Sequence, residues 1–84
     1  MNYTALNALA RDILQLHKDN DNVLNWSNPL LPELGKNSKV SLELVRTILL
    51  DKGLICVQAT KNHQCTRLSR DGDCFLVVEP ARLF

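Results

Sequence analysis

Three cysteines and two histidines are the side chains of this chain with the greatest capacity for metal binding or nucleophilic catalysis. Cys56, Cys65 and Cys74 follow one another at intervals of nine residues, and His63 lies two residues before Cys65. Zinc ligands are usually spaced more closely, as in Cys-x-x-Cys, and a catalytic cysteine requires a histidine in fixed geometry. His17 falls on the apolar stripe of a predicted helix, where a core histidine is expected. The sequence therefore predicts three reduced thiols, no enzyme activity, no metal site and no cofactor.

The basic residues are concentrated in the middle of the chain. Residues 36–70 carry seven Lys and Arg side chains against two acidic ones, a net charge of +5, whereas 1–35 and 71–84 each carry −2. A concentration of positive charge attracts polyanions such as nucleic acids, although ordinary solvated lysines give the same count. We therefore expect any contact with a polyanion between residues 36 and 70.

The length and composition of the chain predict a single compact domain. Its 84 residues, 45% hydrophobic and 23% charged, are assigned to one domain over 1–84, with 1–3 and 80–84 as terminal segments. The sequence has no run of about 18 apolar residues and no secretion signal at its N-terminus. We therefore expect a cytoplasmic protein that does not contact a membrane.

Periodicity divides the first part of the chain into a helix, a strand and a helix. Apolar residues at helical spacing predict a first helix over 4–18, and the apolar segment 23–26 predicts a short strand. Trp26 is interpreted as a core residue, with a platform for stacking a base as the alternative. A second helix is predicted over 29–34, ending at Gly35.

A third helix is predicted over 39–52, with Ser38 as its N-cap and Gly53 at its end. Leu42 and Val45 begin a stripe of apolar residues at helical spacing, which predicts a buried face. The opposite face is expected to carry Lys39, Val40, Ser41, Glu43, Arg46 and Thr47.

Beyond Gly53 the spacing of apolar residues changes from helical to alternating, which predicts a β-hairpin over 54–69. A turn centred on residues 62–63 pairs Val57 with Leu68, so that apolar side chains meet on one face. The tip and the outer face of this hairpin are expected to carry Lys61, His63 and Arg67.

The last element is predicted as a helix, with a third strand as the alternative. Ser69 is a candidate N-cap, and Asp71 and Asp73 lie favourably near the start of such a helix. Gly72 and the β-branched pair at 77–78 favour the strand instead.

Five short motifs lie in order along these elements. They are Glu33-Leu34-Gly35, Ser38, Leu42, Lys52-Gly53-Leu54-Ile55 and Leu68-Ser69-Arg70-Asp71-Gly72. In this order and at this spacing the chain resembles, over residues 6–78, the winged helix-turn-helix family of bacterial transcription regulators. The resemblance implies an α+β fold with a three-helix core and a small antiparallel β-hairpin, called the wing.

In that family the start of the third helix contacts base edges in the major groove, and the wing contacts phosphates or the minor groove. The resemblance implies a guanine contact for Arg46, a cytosine contact for Glu43, and a base or phosphate contact for Ser41. It implies neutralisation of phosphates by Lys36, Lys61, Arg67 and Arg70. The full set implied to bind DNA is Lys36, Lys39, Val40, Ser41, Glu43, Arg46, Lys61, His63, Arg67 and Arg70.

The expected function is regulation of transcription by a homodimer on double-stranded DNA, because one small module gives too little contact for tight specific binding. The many apolar residues of the third helix support a second hypothesis, a winged helix that binds protein and not DNA. If Leu44, Ile48 and Leu50 form one exposed patch, protein binding is favoured. If they are buried beside a basic face, DNA binding is favoured.

Overall fold

The computed structural model describes residues 3–58 and 65–77, which form four helices and one sheet. The helices are α1 (Tyr3–Asp19), α2 (Leu30–Ser38), α3 (Leu42–Asp51) and α4 (Arg70–Val77), and the strands are β1 (Val23–Asn25), β2 (Ile55–Gln58) and β3 (Cys65–Leu68). The strands pair antiparallel in the order β1-β3-β2. The predicted α+β class is confirmed, and the element order is compatible with a winged-helix layout. None of the helices in these two ranges is long and apolar enough to cross a membrane.

Helix α1 supplies the centre of the core. Its apolar residues recur at helical spacing, and Leu6, Leu9 and Ile13 are almost completely shielded from solvent. Val45 and Leu49 of α3 belong to the same buried cluster. The predicted first helix is therefore confirmed, and the predicted buried stripe of the third helix is confirmed at Val45 and Leu49.

The predicted end of the second helix at Gly35 and the predicted cap of the third helix at Ser38 are wrong. Helix α2 continues to Ser38, after which Lys39 adopts a left-handed φ of 58° and its N–H donates to the Gly35 carbonyl at 3.0 Å. Ser41 caps α3 instead, because its hydroxyl accepts a hydrogen bond from the N–H of Leu44 at 3.3 Å.

Gly35 lies inside α2 for a reason of packing. A Cβ at this position would lie 3.0 Å from Cγ of Leu42, closer than an ordinary van der Waals contact. The missing side chain lets the two helices approach each other. Helix α3 thus begins at Leu42, three residues later than predicted, and Lys39 and Val40 belong to the turn before it.

Strands β2 and β3 form the predicted hairpin in a different register. Val57 pairs with Thr66 and Ile55 pairs with Leu68, so the predicted pairing of Val57 with Leu68 is wrong by two residues. A shift of two keeps each residue on its side of the sheet, because side chains alternate along a strand. The predicted turn at 62–63 lies outside the described residues.

The last described element is the helix α4, as predicted, so the alternative that this element is a strand is wrong. Ser69 precedes α4 as predicted, and its hydroxyl accepts a hydrogen bond from the Gly72 N–H at 3.0 Å. The same hydroxyl donates to the Gly53 carbonyl at 2.6 Å, and the Ser69 N–H donates to the Leu54 carbonyl at 3.1 Å. These bonds place the start of α4 beside the end of α3. The predicted terminal segment 80–84 lies outside the described residues.

Candidate nucleic-acid interface

The outer face of α3 is an open, shallow hollow of mixed character. Glu43 and Thr47 are exposed on it, Arg46 is half-buried at its edge, and Leu44 and Leu50 add apolar surface. A guanidinium can donate to a guanine edge, and a carboxylate can accept from a cytosine amine. The hollow therefore offers one forked donor and one carboxylate acceptor to a ligand, whereas the Thr47 hydroxyl donates to the Glu43 carbonyl at 2.9 Å.

Three residues predicted on the groove-facing side of the third helix precede that helix in the structure. Lys39 is exposed in the turn, whereas Val40 is half-buried and packs against the core. Ser41 lines the hollow, and its hydroxyl oxygen accepts the N-cap bond of α3, which leaves the hydroxyl proton to donate. Of the predicted helical contact residues, Glu43 and Arg46 alone lie within α3.

The three apolar residues that distinguish the two hypotheses do not form one open patch. Leu44 is 37% exposed, whereas Ile48 and Leu50 are half-buried and pack against the core. Neither criterion is therefore met, because the three side chains form no single exposed patch and none of them is fully buried. Leu44 and the exposed part of Leu50 leave apolar surface on the same face.

Exposed basic residues lie near both ends of α3. Lys36, near the end of α2, and Lys39 lie on the side of its start, while Lys52 directly follows its last residue. Arg70 begins α4, which starts beside the end of α3. Arg67 is exposed on β3, on the side of the sheet opposite buried Thr66. Two further predicted residues, Lys61 and His63, lie outside the described part of the chain.

Arg46 is held against an aromatic ring. Its guanidinium carbon lies 5.1 Å from the ring centroid of Trp26, which is within cation–π range. Trp26 packs against the core, in agreement with its interpretation as a core residue, and its indole N–H donates to the Thr66 hydroxyl at 2.7 Å. The stack restricts the Arg46 side chain before any ligand binds. No local pattern links Arg46 to Trp26, because they lie twenty residues apart in different elements.

Behind Trp26, hydrogen bonds cross the core to α1. His17 is fully buried, with Nδ1 2.8 Å from the Ile13 carbonyl oxygen and Nε2 2.7 Å from Oγ1 of Thr66. A carbonyl oxygen only accepts, so Nδ1 of the neutral ring donates, and Nε2 accepts the hydroxyl proton of Thr66. The hydroxyl oxygen of Thr66 accepts in turn from Trp26. The chain of donors and acceptors is therefore complete when His17 is neutral.

Protonation of His17 is expected to destabilise the fold. Burial lowers the pKa of His17 below its usual value of 6.5, although the hydrogen bond to the Ile13 carbonyl acts in the opposite direction. Below pH 6.5 the unfolded chain thus binds a proton that the folded chain excludes. We expect the free energy of unfolding to fall with decreasing pH, by at most about 1.4 kcal/mol per pH unit for this group. Urea unfolding between about pH 7.5 and 5.5 measures this slope.

The variant His17→Gln removes the titrating ring and is expected to show a shallower slope over the same range. Equal slopes in His17→Gln and the unchanged protein would contradict the assignment to His17.

The described residues hold no assembled metal site, because no three His, Cys, Asp or Glu side chains among residues 3–58 and 65–77 lie close enough together. Cys56, Cys65 and Cys74 are free thiols on β2, β3 and α4. His17 bonds to a hydroxyl and a backbone carbonyl, and not to a thiol.

The candidate interface thus consists of the outer face of α3, the Arg46 side chain stacked at its edge, and the cations near both helix ends. Strand order β1-β3-β2 and the position of α3 between α2 and the hairpin are compatible with the layout that the sequence motifs imply. Comparison with protein-family models, with curated proteins and with solved structures finds no match for this chain.

Proposed function

We propose that this chain is a winged-helix module that binds double-stranded DNA and regulates transcription. The observation that carries the proposal is the exposed outer face of α3 with cations near both of its ends. The element order and the central position of β3 support a winged helix in which β2 and β3 form the wing.

The dimensions of α3 suit a major groove. Its ten residues rise by about 15 Å, and the major groove of B-DNA is about 12 Å wide. Cations at opposite ends of α3 can therefore reach phosphates on the two strands that border the groove. In this arrangement Lys36 and Lys39 contact one strand, and Lys52 and Arg70 contact the other.

Arg46 and Glu43 are the proposed readers of sequence. Stacking on Trp26 orients the Arg46 guanidinium, so less side-chain freedom is lost when it bonds to a base. An arginine fork fits the two acceptors of guanine, whereas lysine offers a single point charge. Replacement Arg46→Lys is therefore expected to lower discrimination between sites more than overall affinity.

Salt dependence of duplex binding tests the proposal. Each neutralised phosphate contributes about 0.9 to the slope of log affinity against log salt concentration, so four contacts give a slope of about −4 per subunit. The variant Lys39→Ala/Arg70→Ala should reduce the magnitude of the slope by about 2. The control Lys18→Ala removes a cation of α1 that pairs with Asp73, and its slope should stay unchanged. Binding that is independent of salt, or absent at low salt, would refute DNA binding.

The exposure of Leu44 favours a second candidate function, docking of a protein on the same face of α3. If the docked protein is a second copy of this chain, Leu44→Glu should lower self-association in sedimentation experiments. If this face of α3 binds DNA and no second copy of the chain, the change leaves the sedimentation coefficient unaltered.

A further inference from the structure

A groove with an apolar floor and an acidic rim runs between α1 and α2. Leu16 of α1 and Leu34 of α2 are largely covered, whereas Leu30 is 50% exposed at the start of α2. The rim carries three exposed carboxylates and no basic side chain lines this part of the groove. These carboxylates are Asp12, Asp19 and Glu33.

The groove extends along most of α1. A neighbouring hollow between the same two helices shares Asp12 and Leu34 and continues to Ala8 and Ala5. From Ala5 to Asp19 an α-helix rises by about 21 Å, or roughly four turns. A surface of this length, with small residues at one end and leucines at the other, matches the apolar stripe of another helix.

The three rim carboxylates are available to an external cation. The ion pair between Lys18 and Asp73 uses none of them. The side-chain amide of Gln15 donates to Asp19 at 3.0 Å, which leaves the charge of that carboxylate uncompensated. The negative rim opposes contact with nucleic acid and favours a basic ligand.

We propose that this groove docks an amphipathic helix of a partner protein, with leucine-like residues along one stripe and Lys or Arg on both sides of it. The stripe covers Leu30 and the leucines of the floor, and the basic residues face the carboxylates of the rim. No residue of α3 lines the groove. Docking here therefore leaves the outer face of α3 free and does not depend on DNA binding.

A synthetic helix of this chemistry tests the proposal. The probe is a fluorescein-labelled peptide of about 18 residues, with leucines at i, i+4 and i+7 spacing and lysines on both flanks. The control peptide has glutamate in place of every lysine. Fluorescence anisotropy should show saturable binding of the lysine peptide, at least about tenfold tighter than that of the glutamate peptide. Equal affinities, or no saturable binding of the lysine peptide, would overturn the proposal.

Variants of the protein locate the site. Asp12→Lys/Glu33→Lys reverses two rim charges at exposed positions and should lower the affinity for the lysine peptide by about tenfold or more. Leu30→Asn removes the exposed leucine and should lower the affinity for the same peptide by about three- to tenfold. Asp51→Lys, the control, reverses an exposed charge on α3 and should change the affinity by less than about twofold. If the control weakens binding as much as the rim variant, the groove is not the site.

Circular dichroism checks that each variant keeps the helical content of the unchanged protein. Sedimentation tests the alternative that a second copy of this chain occupies the groove. If the unchanged protein self-associates and Asp12→Lys/Glu33→Lys does not, the groove binds a second copy of this chain and not a partner protein. That result would overturn the proposal.

Discussion

Replacement of Gly72 by alanine is expected to destabilise the protein by about 3 kcal/mol or more, because the new methyl group has no space. A Cβ at this position would lie 2.1 Å from the backbone oxygen of Leu54 and 2.7 Å from Cδ1 of Leu68. The Leu54 carbonyl cannot easily move, since it accepts a hydrogen bond from the Ser69 N–H. Relief of the clash requires α4 to move away from the segment between α3 and β2. Chemical unfolding followed by circular dichroism measures the loss.

Gly53→Ala is the matched control for this prediction. Gly53 has a φ of +72°, and no atom lies within 4 Å of the position that its Cβ would occupy. Its replacement introduces backbone strain without a clash, at a cost of about 1 to 2 kcal/mol. The prediction for Gly72 is contradicted if Gly72→Ala loses no more stability than Gly53→Ala.

Local periodicity predicted the elements well, because each depends on residues close together in the chain. Helix α1 follows directly from a spacing of 3.6 residues, and a spacing of 2 places Ile55 and Leu68 on the buried side of the hairpin. Val57 has the same alternation but is 68% exposed, because β2 leaves the core towards its end. The boundary between α2 and α3 does not follow from periodicity, since Ser38 and Ser41 are both suitable N-caps for α3. The choice depends on Gly35, which ends a helix in many sequences but here admits Leu42 against α2.

The candidate sites depend on contacts that spacing does not encode. Alternation fixes the side of the sheet on which Thr66 lies, but the offset between strands depends on the turn. The bonds from Thr66 to His17 and to Trp26 join residues 49 and 40 positions apart. The acidic rim likewise forms only when α1 and α2 pack together, so a charge count over residues 1–35 does not locate it.

Thr66 connects the buried His17 to Arg46, the residue proposed to contact DNA bases. Its hydroxyl donates to His17 and accepts from Trp26. The Trp26 ring in turn stacks with the Arg46 guanidinium. The hydroxyl therefore links α1 by hydrogen bonds to the ring that supports Arg46, beside the edge-on contact between the His17 and Trp26 rings, whose centroids lie 6.4 Å apart. Its removal tests both the stability of this support and the orientation of Arg46.

Thr66→Val is expected to lower the free energy of unfolding by about 2 to 4 kcal/mol, since two polar groups lose their partner. Valine keeps the size and β-branching of threonine, so core packing is retained. Nε2 of His17 is then left without a partner in the core, and the Trp26 N–H loses its acceptor. Urea unfolding followed by the emission of Trp26, the sole tryptophan of the chain, reports both stability and the ring environment.

Two controls separate the hydroxyl from the methyl group of Thr66. Thr66→Ser keeps the hydroxyl and loses one methyl, so a loss of about 1 kcal/mol is expected. Val57→Thr makes the reverse change at the cross-strand neighbour, which is 68% exposed, and should alter stability by less than about 0.5 kcal/mol. If Thr66→Val is as stable as Thr66→Ser, the hydrogen bonds to His17 and Trp26 contribute little. Packing alone would then hold Trp26 beneath Arg46.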